Sequence, residues 1–149
     1  MTFKEKVYES YLKMIENKIQ LFQNTLKELR ESGSNETKST AGDKYETALA
    51  MLHIEQENVS RQLNEIVKQK VLFSQIDTTI VASKIVNGSL IKTNKGYFFM
   101  SVALGKAIVD GITVIAFSPH SPLGQKLLGL KPNDAADING IRYIIESIV

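Results

Sequence analysis

Ser32-Gly33-Ser34-Asn35-Glu36-Thr37-Lys38-Ser39-Thr40-Ala41-Gly42-Asp43 is the one polar, turn-rich interruption in the first half of this chain. Small and polar residues disfavour continued helix, whereas the flanks, Phe3 to Arg30 and Tyr45 to Phe73, keep helical periodicity without a proline. The segment therefore reads as the tip of a hairpin, spanning residues 32–43. On the first flank Tyr8, Tyr11, Ile15, Ile19, Phe22, Leu26 and Leu29 recur at steps of three and four; Tyr45, Leu49, Leu52, Gln56, Val59, Leu63 and Ile66 do so on the second. Each helix offers one narrow apolar stripe and needs a partner to cover it. The short connection makes each the other's partner, so residues 1–73 are expected to form an antiparallel coiled coil. Roughly 28 residues at 1.5 Å each give a rod of about 40 Å. Gln56 within the seam is expected to set register or sit in a solvated slot. The start of the second helix is open, because Thr40 with Asp43 and Asp43 with Glu46 both fit capping boxes. Asp43 is accordingly either an N-cap or a free tip acid.

Beyond Phe73 the period changes. Residues 74–79 read as a hinge, and residues 80–149 as a small β domain in which Ile80 to Lys84, Ser89 to Thr93, Tyr97 to Ala103, Ile112 to Phe117 and Ile141 to Ile148 are the expected strands. Asn94-Lys95-Gly96, Asp110-Gly111 and Asn139-Gly140 supply turns. Ser121 to Gly129 carries a cap, a proline at the first helical position and a closing glycine, which predicts one short helix with Leu123, Leu127 and Leu128 in the core. The fold class is α+β: a helical hairpin followed by a curved, mostly antiparallel sheet with the short helix on one face.

Composition narrows the function. The chain of 149 residues allows one domain plus an extended element. It has no cysteine, so disulfides, thiolate ligands and thiol nucleophiles are excluded together. Residues 1–73 balance eleven bases with eleven acids and residues 74–149 hold seven against five, giving the formal +2. Bases alternate with acids along both helices, so direct DNA binding is not expected. The N-terminus lacks a signal-peptide pattern and no apolar run spans a bilayer, which predicts a soluble, cytoplasmic protein. His53 and His120 have no paired acids at ligand spacing, so a zinc site is not expected. Ser118 beside His120 lacks a nucleophile turn, and the dispersed glycines match no phosphate loop.

The order from Ile115 and Ser118 through Ser121-Pro122-Leu123-Gly124-Gln125-Lys126-Leu127-Leu128-Gly129-Leu130-Lys131-Pro132-Asn133-Asp134 to Tyr143-Ile144-Ile145-Glu146-Ser147-Ile148 resembles the C-terminal domain of the bacterial Gre transcript-cleavage factors. Gly88-Ser89-Leu90 belongs to the same match. That resemblance implies an FKBP-like domain, here without the convergent aromatics of a prolyl isomerase pocket, behind a coiled coil that enters the secondary channel of RNA polymerase. It implies an accessory factor rather than an enzyme, a monomer with RNA polymerase as partner and no cofactor of its own. It also implies that tip carboxylates, Glu36 and Asp43 here, assist the polymerase in cleaving backtracked RNA, with Glu36 a ligand of a magnesium ion shared only in the complex. Ser121, Pro122 and Leu123 are the implied partner-binding residues. The tip departs from the family pattern: aligned through Ala41, Ser39 stands where a second acid is usual and Thr40 where asparagine is. A hydroxyl is a weak magnesium ligand, so a channel-binding inhibitor without cleavage is the alternative, and an interaction module outside transcription is another.

Overall fold

The computed structural model describes the backbone of residues 1–39 and 43–149 and the side chains of residues 1–33 and 46–149. The chain is α+β: α1 (Phe3–Ser39), α2 (Asp43–Ser74), β1 (Leu90–Thr93), β2 (Gly96–Met100), β3 (Gly105–Val109), β4 (Ile112–Phe117), α3 (Pro122–Leu127), β5 (Ala135–Ile138) and β6 (Ile141–Ile148). Among the described residues no helix is long and apolar enough to cross a membrane. Contacts divide the chain into a first unit, Met1–Lys13 with Val71–Val149, and a second, Met14–Lys70.

α1 opens with a capping box: the Glu5 amide donates to Thr2 Oγ1 at 3.1 Å while the Thr2 amide donates to Glu5 Oε2 at 2.8 Å. Two of the donors that every helix start leaves unpaired are thereby satisfied. The helix continues to Ser39, so the turn expected from Ser32 begins later, and residues 40–42 lie outside the described residues. Eight further residues, 32–39, extend α1 because serine, asparagine and threonine cost only tenths of a kcal/mol each in a helix, roughly 0.7 at most, and Gly33 about 1.

In the second unit two contacts fix the pairing of the helices. Lys70 Nζ lies 3.9 Å from Glu16 Oε1, and a Cβ placed on Gly33 would come within 3.1 Å of Leu52 Cδ2. The paired numbers sum to 86 and 85, which is the mark of an antiparallel pair in constant register. Ile15, Leu26, Val59 and Ile66 are buried, while Ile19, Phe22, Leu29, Leu49, Leu52, Gln56 and Leu63 are half-buried, so these positions of the apolar stripe read from the sequence are covered; Tyr45 lies outside the described side chains.

The first unit holds a six-stranded sheet in the order β3-β4-β2-β1-β6-β5, antiparallel except for β2 with β4. On one face α3 covers a core of Ile85, Ile91, Phe98, Met100, Phe117, Leu127, Ile145 and Ile148, with Leu123 and Leu130 against it. On the other lie the first turns of α1 and the last of α2, where Val7, Tyr11, Phe73, Leu90, Phe99 and Val114 are buried. The unit is thus three layers deep, one more than a sheet with a single covering helix. Tyr8 and Tyr11 meet Phe73 of α2, as residues of the helix seam should, and Tyr11 also meets Phe99 of the sheet, at ring distances of 4.7 to 6.4 Å.

Three sequence expectations change. Ile80 to Lys84 forms no strand, because β1 already has β2 and β6 on its two sides; the Ile80 carbonyl instead accepts from Lys4 Nζ at 2.8 Å. Two strands were not expected, β3 and β5, each closed onto its successor by a two-residue turn, Asp110-Gly111 (φ 51° and 75°) and Asn139-Gly140 (φ 52° and 78°). Positive φ at both central residues matches the right-handed twist of the flanking strands. Leu128 is half exposed rather than core: as the C-cap of α3 it has φ −56° and ψ 127°, while Leu123 and Leu130 pack inward.

Candidate functional site

The expected working residues fall in both units. Glu36 lies in the last turn of α1 and Asp43 is the first residue of α2. The side chains of both lie outside the described residues, as do Thr40 and Ala41. Among the described residues no three His, Asp or Glu side chains gather into a metal site.

The Ser-Pro-Leu turn is described in full. Ser121 sits at the N-cap of α3 in extended conformation (φ −67°, ψ 160°), its Oγ accepting from the Gly124 amide at 3.0 Å and donating to the Ser118 carbonyl at 2.7 Å. Pro122 follows at the first helical position, where no amide is missed. The loop before it is tied down by three more bonds: the His120 amide donates to Ser118 Oγ at 3.1 Å, the Ser121 amide to the Ser118 carbonyl at 3.1 Å, and Gln125 Nε2 to the His120 carbonyl at 3.0 Å. Gly124 is what allows this closeness, since a Cβ there would lie 2.1 Å from the Ser118 oxygen and 2.8 Å from Pro119 Cα. The result is a rigid corner on which Pro122 and His120 are exposed, Ser121 is half-buried and Leu123 points into the core.

Beside this corner lies a groove of about 110 Å³ lined by Leu72, Gln75, Asn87, Ser101, Val102, Ser118, Pro119 and His120. A second, of about 150 Å³, adjoins it through Gln75 and Asn87. The lining of the first is neutral and mixed, suited to contact with a surface rather than to bond-making, and the second adds the Asp77 carboxylate. Ser118 Oγ accepts from the His120 backbone amide and makes no hydrogen bond to the imidazole among the described residues, so the two are not arranged as nucleophile and base.

Perturbed groups cluster elsewhere, at the helical root of the first unit. Burial pushes the Tyr11 phenol up to about 12, partly offset by backbone hydrogen bonds; its hydroxyl lies 2.7 Å from the Gly105 carbonyl and 2.9 Å from that of Val114. Burial lowers Lys4, opposed by the nearby Asp77 carboxylate. Hydrogen bonds from the Thr79 hydroxyl and amide lower Asp77. A phenol beneath a sheet and an ammonium bonded to one carbonyl hold the root in place; neither faces a cleft where a substrate would sit. Nothing in the hydropathy pattern singled out Lys4 or the corner formed by Ser118, because both depend on contacts distant in sequence.

No family model matches the chain, and no curated protein matches it. Among solved structures it is similar to the crystal structure of GreA factor homolog 1 (Gfh1) of Thermus thermophilus, with 15% identity over 95% of this chain and 92% of that one and a TM-score of 0.35. Likeness at this level leaves the chemistry to be argued from this chain's own residues.

Proposed function

We propose that the chain is an RNA polymerase-binding transcription elongation factor of the Gre type, an accessory protein whose hairpin enters the secondary channel and modulates the active site. The observation that carries the reading is the pair of long helices, of 37 and 32 residues, paired antiparallel from Glu16 with Lys70 to Gly33 with Leu52, with three residues between Ser39 and Asp43. Such a hairpin presents its connection, not its flank, to whatever it enters. The rigid Ser121-Pro122 corner on the first unit is the proposed polymerase contact, with Leu123 anchoring it from beneath.

At the tip, Glu36 and Ser39 stand one turn apart on α1 and Asp43 begins α2. This donor set of a carboxylate, a hydroxyl and one further acid suits a hard cation only if the polymerase contributes most of the ligands. A magnesium ion held that way would supply Lewis acidity, and Glu36 would be its ligand from this chain. Ser39 favours a second reading, in which the protein occupies the channel without stimulating cleavage. Core polymerase should be retained by the immobilised protein at moderate salt; no retention refutes both readings. Backtracked complexes then separate them: shortening of the RNA from its 3′ end, abolished by Glu36→Ala, supports cleavage, while binding without shortening supports the blocking form.

A further inference from the structure

Asparagine stands directly before glycine at two places, Asn87-Gly88 and Asn139-Gly140, and every other asparagine precedes a residue with a side chain. In an Asn-Gly pair no Cβ keeps the glycine nitrogen from reaching the carboxamide carbon, so this is the dipeptide most open to deamidation. The fold holds the two pairs differently. Gly88 is buried, its amide donates to the Met100 carbonyl at 2.7 Å, and a Cβ on it would meet Ile76 Cγ2 at 3.2 Å. The nitrogen that would attack there is engaged.

Asn139 and Gly140 are both exposed, at the centre of the turn between β5 and β6. Among the described residues the Gly140 amide donates no hydrogen bond and the Asn139 carboxamide makes none; the space around Gly140 is open. Closing a five-membered ring requires the Asn139 ψ to leave the value that a two-residue turn demands. β5 is four residues at the edge of the sheet, so this turn opens locally while the central strands stay formed. Asp110-Gly111 makes a similar turn at positive φ, but Asp110 Oδ2 is paired with Lys6 Nζ at 2.9 Å, and an ionised carboxylate is a poor electrophile.

We propose that Asn139 is a site of spontaneous deamidation that loosens the edge of the sheet against which α3 packs. The Gly140 nitrogen attacks Asn139 Cγ, the bond from Cγ to Nδ2 breaks, and the proton of the attacking nitrogen ends on the departing ammonia, which leaves a succinimide. Water opens the ring at either carbonyl, giving aspartate or isoaspartate. Either product adds a negative charge beside the ion pair of Asp137 with Arg142, which are 3.6 Å apart. Isoaspartate also puts an extra carbon into the main chain of a two-residue turn and so displaces β5 against β6. The Asp137 carbonyl moves with β5, and it is the acceptor for Lys126 Nζ of α3 at 3.0 Å.

Holding the folded full chain in heavy-oxygen water at mildly alkaline pH, followed by peptide mapping in a mass spectrometer, tests this. Each event replaces an amide with a carboxyl group that carries one heavy oxygen. Label should accumulate at Asn139 at least about tenfold faster than at Asn87, where a buried hydrogen bond must break first. The chain unfolded in urea should take label at both. In the separated isoaspartate form the amides of β5 should exchange faster than in Asn139→Asp, which adds the charge without the extra carbon. Equal labelling of the two sites in the folded chain overturns the proposal, as does an unlabelled Asn139 under conditions in which the unfolded chain takes label there. An isoaspartate form whose β5 exchanges no faster than that of Asn139→Asp overturns the effect on the sheet.

Discussion

The two units bury their apolar residues in different ways. The first packs a sheet between a helical root and α3, so Phe73, Phe99 and Met100 are fully enclosed. The second, among the described residues, buries only Ile15, Leu26, Val59 and Ile66, one line along two helices. A pair of helices has one mutual face, so Leu26, Val59 and Ile66 each keep a few per cent of their surface exposed and, among the described residues of this unit, only Ile15 is fully enclosed.

The strongest way to break this contrast is to hollow the thick unit. Phe99→Ala should cost roughly 3–5 kcal/mol in urea unfolding, since the ring contacts Tyr11 and Phe73 at once. A cost below that of a seam residue would contradict the division. In the thin unit Ile66→Ala should cost less, about 2 kcal/mol, at the low end for such truncations because the seam is open on two sides. Hydrogen exchange should show why: amides of residues 46–70 should open by local unfolding while those of β2 and β4 open only globally.

A third comparison sharpens the root. Tyr11→Phe leaves two carbonyls without its hydroxyl and should cost about 1–2 kcal/mol at neutral pH. The phenol's folded value of about 12 exceeds the ordinary 10, so its stabilising effect is fully present below pH 10 and is lost as pH rises to 12. At 1.36 kcal/mol per unit this is roughly 2–3 kcal/mol, and Tyr11→Phe should remove that part of the alkaline slope. Lys4 acts with the opposite sign: its lowered value means that burying its charge costs less as pH rises toward 10.5. Least of all, Ser121→Ala should cost about 1 kcal/mol by removing the cap of α3, and should weaken polymerase retention through the loosened corner.

Much of this architecture was legible in the residues because it is local. The two helices follow from spacing, and α3 follows from serine and proline at its start. What could not be read depends on partners distant in the chain. Ile80 to Lys84 has strand-forming residues, but β1, the next strand along the chain, already has β2 and β6 on its two sides. β5 is Ala-Ala-Asp-Ile, a poor strand by propensity that forms because Asn139-Gly140 folds it onto β6. Tyr11 has the spacing of a seam residue, and only the sheet beneath it shows why it is a tyrosine. At the candidate site, the order Ser121-Pro122-Leu123 was visible, whereas the closeness of Gly124 to Ser118 was not.

The central claim is that the hairpin connection reaches the catalytic centre of RNA polymerase. Site-specific crosslinking from a photoreactive residue at position 38, in complexes with core polymerase and backtracked RNA, tests it most directly. The account predicts crosslinks to the polymerase active-site region or to the 3′ end of the transcript, and their loss when the channel is blocked. Crosslinks confined to the outer surface of the polymerase, or none at all in a complex that otherwise forms, would contradict it.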